Sequence, residues 1–295
     1  PFFVINCDVA CDFNLRALYN FHKQHGKMGT IMVTRVDEPA KYGKSVVQAD
    51  QNGMIERFVE HGRKFAGNLI NAGVYIFSPS IFHRLRVVKS ISMEKEVLPK
   101  LASEDQLYSM QLDGYWMNVK KPRDFLQGHA LYLRYLSKGG ALPDAYGTVP
   151  SVASLSLSAS STILTSAETS GVNESQREQL GESTLTGNVL IDPTAQIGNG
   201  CLIGPDVSVG PGCVVDDGVR LANCILLSDV RVGKHAAIID SILGWRSSVG
   251  EWARVEGVSV LGEDVHVVPE IFVNGALILP HKRIESSVAE PRVIM

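Results

Sequence analysis

Asp8 is the first side chain in this sequence whose type and place suggest chemistry. It follows Phe2-Phe3-Val4-Ile5-Asn6, a run that reads as a strand buried on both faces. Asp8 therefore lies just past the C-terminal end of a buried strand, where open α/β sheets bind ligands. The structural alternative is a turn or helix N-cap residue, but Asp12 or Asn14 is better placed for the cap. Three histidines of the last third, His235, His266 and His281, have the chemistry of a general base for acyl transfer. Each fits a surface turn equally well, and no acyl-donor motif accompanies them. The five cysteines (Cys7, Cys11, Cys201, Cys213, Cys224) show no zinc or disulfide spacing. They read as reduced thiols packed as small hydrophobes in a cytoplasmic protein.

The elements that must position these groups fall into two kinds. At 295 residues and 45% hydrophobic, the chain can bury two cores. The net charge is −3 and no basic stripe is visible, which argues against nucleic acid as a partner. No apolar run is long enough to span a bilayer, which argues against a membrane partner. Residues 1–138 alternate strands and helices: a strand over 2–6, a helix across 14–25 with Leu15, Leu18 and Tyr19 on one face, and a strand from Thr30 to Val36. Asp50-Gln51-Asn52-Gly53 turns a hairpin between Ser45–Gln48 and Met54–Glu60. A strand over Leu69–Phe77, a helix start at Ser78-Pro79, short strands at Leu107–Leu112 and Tyr115–Val119, and a helix opened by Pro122 complete a three-layer α/β pattern. Residues 139–186 are rich in Gly, Ser, Thr and Ala and read as a loose linker or insertion.

From Gly187 onward a six-residue beat takes over. Ile191, Ile197, Ile203, Val209, Val215 and Leu221 fall six apart, and small residues such as Ala195, Cys201 and Cys213 precede most of these aliphatics by two. Such a chain turns a corner every six residues, which is the signature of a parallel β-helix. The beat slips near Leu227–Val232 and around Gly244, then resumes at Val249, Val255, Leu261, Val267 and Val273. The spacing predicts about five coils over 189–280, followed by a tail from Pro280. Trp245 and Trp252, with Arg246 and Arg254 nearby, read either as a subunit contact or as caps on the core where the register slips.

An α/β domain followed by hexapeptide coils resembles the sugar-1-phosphate nucleotidyltransferases. Phe3-Val4-Ile5-Asn6-Cys7-Asp8-Val9, Lys41-Tyr42-Gly43, Arg57-Phe58-Val59-Glu60, Asn71-Ala72-Gly73-Val74-Tyr75-Ile76, Gly114-Tyr115-Trp116-Met117-Asn118-Val119 and Lys121-Pro122-Arg123-Asp124-Phe125 follow in that family's order. Leu279-Pro280-His281-Lys282 and Glu290-Pro291-Arg292-Val293-Ile294-Met295 resemble the close of the beta-type mannose-1-phosphate guanylyltransferases. The resemblance implies a Rossmann-like nucleotidyltransferase domain and a left-handed β-helix. The reaction it implies joins GTP to mannose 1-phosphate, giving GDP-mannose and pyrophosphate. It implies Mg²⁺ as cofactor, with Asp8 and Asn118 at the catalytic and metal-binding positions. Tyr42 and Gly43 then stand at the base or sugar pocket, Glu60 at sugar hydroxyls, and Asn71 and Gly73 where backbone approaches the sugar.

Four departures accompany the resemblance. The glycine-rich nucleotide loop falls before Pro1, which points to an N-terminally incomplete sequence. Asn118 stands where the second metal carboxylate is expected, and Lys120 where glycine is usual. His61-Gly62 replaces a Lys-Pro pair, with Arg63 and Lys64 close by. Asp124 reads equally well as a first-turn charge favoured by the helix dipole. Three functions stay open on these residues: the guanylyltransferase, a non-catalytic regulatory or scaffolding paralogue that binds nucleotide sugar, and a hexapeptide acyltransferase. The coils favour a homo-oligomer, or a hetero-oligomer with a related subunit.

Overall fold

The structure is a computed structural model that describes residues 1–42, 46–59, 67–85, 90–138, 162–165 and 182–295. It divides into two compact units, Pro1–Val119 and Lys120–Met295. Gly43 and Glu60, together with His61 to Lys64, lie outside the described residues, as does most of the 139–186 stretch.

The first unit is built on a mixed sheet. Its elements are β1 (Phe2–Ile5), β2 (Val9–Cys11), α1 (Leu15–His25), β3 (Gly29–Arg35), β4 (Val46–Ala49), β5 (Ile55–Val59), β6 (Leu69–Phe77), α2 (Leu98–Ser103), β7 (Leu107–Gln111) and β8 (Trp116–Asn118). The sheet runs β5-β4-β6-β3-β7, with β1 also paired to β6. Among the described residues only β3 and β7 run parallel within it; β1, β3 and β4 are all antiparallel to β6. The sequence of β6, apolar apart from Asn71, matches its burial from Ile70 to Phe77. One expectation fails at β1. Phe2 and Val4 pack against the core, but Phe3 and Ile5 are 38% and 41% exposed. Alternate side chains of β1 point to opposite faces, and among the described residues the core covers only the face of Phe2 and Val4.

Local signals explain the turns. Asn14 caps α1 by accepting from the Ala17 N–H at 3.2 Å, and Gly26 closes it with φ +64°. Leu18 is fully buried beneath α1, whereas Tyr19, expected on the same face, is 40% exposed. In the β4–β5 hairpin, Asp50 Oδ1 accepts from the N–H groups of Asn52 and Met54, and Gly53 takes φ +86°. A Cβ at Gly53 would sit 2.6 Å from the Ser109 carbonyl oxygen, so glycine is required there on two counts. The segment ahead of α2 is a single π turn, Met93–Val97, and carries Glu94.

Under α1 the side chains close a ring of hydrogen bonds. The Lys27 N–H donates to His25 Nδ1 (3.0 Å), which leaves His25 Nε2–H to donate to Thr30 Oγ1 (2.7 Å). The Thr30 hydroxyl can then donate to His22 Nδ1 (2.9 Å), and His22 Nε2–H to Ser78 Oγ (3.0 Å). Ser78 Oγ returns its proton to the Lys27 carbonyl at 3.3 Å. Every member is satisfied only while both imidazoles are neutral. Burial, reinforced by neighbouring charges, lowers both pKa values, that of His25 to about 4.

The second unit is a parallel β-solenoid with the helix α3 (Pro122–Ser137) against its first coils. Two of its three sheets are six strands deep, and every coil-to-coil pairing is parallel. The inward aliphatics and the small residues ahead of the corners form one buried column, with Cys201, Cys213 and Cys224 among the latter. These thiols pack as small apolar groups, and burial raises the pKa of Cys213 to about 11. Residues such as Asp229, His235, Arg246, Trp252, Asp264 and His281 hold the corners with φ near +60°. Their N–H groups bond the carbonyl of the coil before, as His235 does to Asp217 and Trp252 to Lys234.

The slip in the beat has one cause. Inward residues step by five instead of six at Leu221 to Leu226, Ile238 to Leu243 and Val273 to Ile278. At each of these the connection between strands is two residues long, pivoting on Asn223, Asp240 or Gly275 at positive φ. All three shortened corners lie in one stack, so the triangular section survives while the period changes. The residues from Pro280 onward are not a tail. Arg283–Ile284 and Val293–Ile294 are strands of the last coil, and Ile284 and Val288 are buried in the column. Within the expected linker, Thr162–Thr165 pairs antiparallel with Asn188–Ile191, its β-branched sequence overriding the Ser-rich surroundings. Trp252 does not cap the core; it is 62% exposed on a corner, stacked on His235 with ring centres 4.4 Å apart.

Candidate functional site

Four of the residues singled out from sequence come together in the first unit. β2 and β8 form a separate antiparallel ribbon in which Val9 faces Asn118 and Cys11 faces Trp116. This register places Asp8 against Asn118. The Val119 N–H donates to the Asp8 main-chain carbonyl at 2.7 Å. Asn118 Nδ2 donates to Asp8 Oδ2 at 3.0 Å and to the Asp8 carbonyl at 3.3 Å. Asn118 is buried and Asp8 half-buried, so the carboxylate keeps access to solvent. Asp8 caps no helix; that role belongs to Asn14.

Beside this pair, β6 makes a close approach. Gly73 has φ +83°, its carbonyl accepts from the Asn6 N–H at 2.9 Å, and its own N–H donates to Asn71 Oδ1 at 3.0 Å. Asn71 Nδ2 donates to the Tyr75 hydroxyl oxygen at 2.8 Å and to Glu94 Oε1 at 3.3 Å. Burial is the largest influence on Tyr75 and, with Glu94 and Asp8 nearby, holds its pKa up at about 12 against the hydrogen bonds of Asn71 and Asn6. Tyr75 is therefore a neutral phenol at physiological pH. Tyr42 lies apart from this row, edge-on to Trp116 with ring centres 5.2 Å apart, and the Trp116 Nε1–H donates to the Ala72 carbonyl at 2.9 Å.

Three members of this array were not singled out from sequence: Asn6, Tyr75 and Glu94. Asn6 and Tyr75 lie inside the quoted motifs, two residues from Asp8 and from Gly73, so their place was available. Glu94 had no such signal, because its position depends on the π turn that carries it. Among the described residues no three His, Cys, Asp or Glu side chains converge as a metal-binding group. The donors at Asp8 are its carboxylate and, once the Asn118 amide turns over from the orientation in which Nδ2 faces Asp8, the Asn118 carbonyl. Both are hard oxygen donors, which fits a cation that keeps water and phosphate as its other ligands.

Comparison with known proteins bears on this array. The nucleotidyl transferase family matches residues 1–134, and the GMPPB C-terminal domain family matches residues 185–294. The chain is 45% identical over all 295 residues to mannose-1-phosphate guanylyltransferase 1 of Arabidopsis thaliana, covering 72% of that protein. The chain belongs to the mannose-1-phosphate guanylyltransferase family. It is 46% identical over 295 residues to the mannose-1-phosphate guanylyltransferase catalytic subunit beta of Danio rerio, and 45% identical to a probable mannose-1-phosphate guanylyltransferase 3 of Oryza sativa subsp. japonica, again over 72% of each. Within this guanylyltransferase family, the nucleotidyl transferase match contains the whole Asp8, Asn71, Gly73 and Asn118 array. The C-terminal match coincides with the solenoid. No helix among the described residues is long and apolar enough to cross a membrane.

Proposed function

We propose that the chain transfers a guanylyl group from GTP to mannose 1-phosphate, giving GDP-mannose and pyrophosphate. The observation that carries this reading is the similarity to proteins of that name over all 295 residues of this chain, covering both units. In this reaction the sugar-phosphate oxygen bonds to the α-phosphorus as the bond to pyrophosphate breaks. Mg²⁺, held by Asp8 and the Asn118 carbonyl, would neutralise charge on the phosphates when bound. Asp8 is aimed by the β2–β8 ribbon. Asn71, Tyr75 and Glu94 offer alternating donors and acceptors that can orient sugar hydroxyls, and Gly73 removes the side chain that would obstruct them. Tyr42 offers an aromatic edge to the base or sugar. Gly43 and Glu60 belong to the same proposal by their place in the sequence.

The test is GDP-mannose formation from GTP, Mg²⁺ and mannose 1-phosphate. Asp8→Ala is expected to lower kcat/KM at least about a hundredfold, the scale for losing a group that stabilises developing charge. No product above background, from parent protein that binds neither GTP nor GDP-mannose, would discard the reading. Asn118 favours a second reading, a regulatory subunit that binds nucleotide sugar without turnover. Binding of GDP-mannose with no product would select it.

Association with itself or with a related subunit, in the cytoplasm, is part of this proposal. The exposed Trp252–His235 stack supports a contact on the solenoid corner. Trp252→Ala is expected to lower the mass of the assembly in light scattering, and an unchanged mass would remove that contact.

A further inference from the structure

We propose that Asn118 is a latch on Asp8, so that a divalent cation settles in this site only together with nucleotide phosphates. The inference rests on the reading of Asp8 given above and concerns the order of binding. The Asn118 side chain has two unlike ends. Its Nδ2 faces two oxygens of Asp8, at 3.0 Å and 3.3 Å. Turned over, its carbonyl would face those same oxygens, which is repulsive unless a cation lies between them. With no cation the N–H end is therefore held against Asp8. The ribbon prevents the two residues from drawing apart, because Asn118 is in register with Val9 and the Val119 N–H is bonded to Asp8.

A cation that takes Asp8 Oδ2 competes with that N–H. Displacing a hydrogen bond to a charged oxygen weakens its binding by about 10- to 100-fold. In return the turned amide supplies only a neutral oxygen, where a hard dication favours negative charge. Among the described residues no three His, Cys, Asp or Glu side chains converge as a metal-binding group that would make up the difference. Phosphate oxygens of a nucleotide supply the missing charge. The latch therefore opens when cation and nucleotide arrive together and closes when they leave. Asn118 acts through Asp8 and is a positioning residue.

Mn²⁺ binding to the full chain, followed by the loss of its free electron-spin-resonance signal, tests this without turnover. The parent is expected to show no saturable uptake alone and clear uptake with GDP-mannose, above a nucleotide-only blank. Asn118→Asp is expected to take up Mn²⁺ without nucleotide, at least tenfold tighter than the parent. Asn118→Ala removes the N–H without adding charge and is expected to tighten uptake less. Asp8→Asn is expected to abolish the nucleotide-dependent uptake. Parent protein that binds Mn²⁺ alone as tightly as with nucleotide overturns the latch, as does a lack of tightening in both Asn118 variants. GDP-mannose binding in the presence of a chelator, measured in parallel, reports on the substrate assignment separately; its absence alongside tightened Mn²⁺ uptake would discard the substrate and keep the latch.

Discussion

Replacing Gly73 by alanine is expected to destabilise the first unit by about 2–4 kcal/mol and to abolish GDP-mannose binding. Two effects add. At φ +83° an L side chain carries a backbone penalty of about 1–2 kcal/mol. The new Cβ would also lie 2.9 Å from Asn6 Nδ2 and 3.0 Å from Val9 Cγ2. Relief is costly at both, because the Asn6 side chain is hydrogen-bonded to Tyr75 and the β-branched Val9 is paired in the β2–β8 ribbon. Any shift is passed to Asp8, which lies between them in sequence. Gly26 provides the control. Its φ of +64° makes the same demand on the backbone, but nothing lies within 4 Å of its missing Cβ. Gly26→Ala should therefore cost only about 1 kcal/mol and leave binding intact. Urea unfolding and calorimetric titration of both variants check this. Equal losses of stability would mean that the close approach at Gly73 contributes nothing.

The contrast between Gly73 and Gly26 also marks what could be read in the sequence. Features set by residues close in the chain were legible: the Asp50–Gly53 hairpin, the Leu69–Phe77 strand and the six-residue beat. Each depends on a turn or a repeat whose cause is local. The beat even shows its own interruptions, although displaced along the chain from where they occur. Shortening at Asn223 and Asp240 becomes visible in the pattern only at the next inward residue. Features that depend on what packs above a segment were not legible. Phe3 and Ile5 look as buried as Val4 in sequence, but they project from the opposite face of β1, which the core does not cover. Ile284 and Val288 look like a tail because Pro280 and Pro291 interrupt the beat, yet the last coil needs them to close its core. At the site, Asp8, Asn71, Gly73 and Asn118 were found through motif order. The hydrogen bond between Asp8 and Asn118 was not, because the resemblance suggested two ligands sharing a cation rather than a donor bonded to an acceptor. Glu94 shows the same limit: nothing in Ser92–Val97 predicts a π turn.

Acidification from pH 7 to pH 5 is expected to loosen both units, through three histidines that the fold keeps neutral. In the first unit the ring through His22, Thr30, His25 and Ser78 has no place for a second N–H proton on either imidazole. In the second, the His129 Nε2 is bonded to Ser208 Oγ at 2.6 Å, while its Nδ1 is shielded from solvent with no hydrogen-bond partner among the described residues. Burial lowers the His129 pKa to about 4. For a histidine depressed in the folded state, the unfolded chain binds more protons between the two pKa values. Stability therefore rises with pH across that window. It is fully present above about 6.5 and is lost progressively as pH falls toward 4. For His129 the loss by pH 5 is about 2 kcal/mol. The ring histidines add a loss of the same sign. His129→Gln should flatten the pH dependence of the solenoid's melting, and His25→Phe, which can keep the stack on Tyr108, should flatten that of the first unit. Each variant removes one titrating group and leaves the other unit's profile as it was. Melting temperatures of parent and variants between pH 5 and pH 8 decide the matter; parallel profiles would show that these imidazoles accept their protons without disturbing the fold.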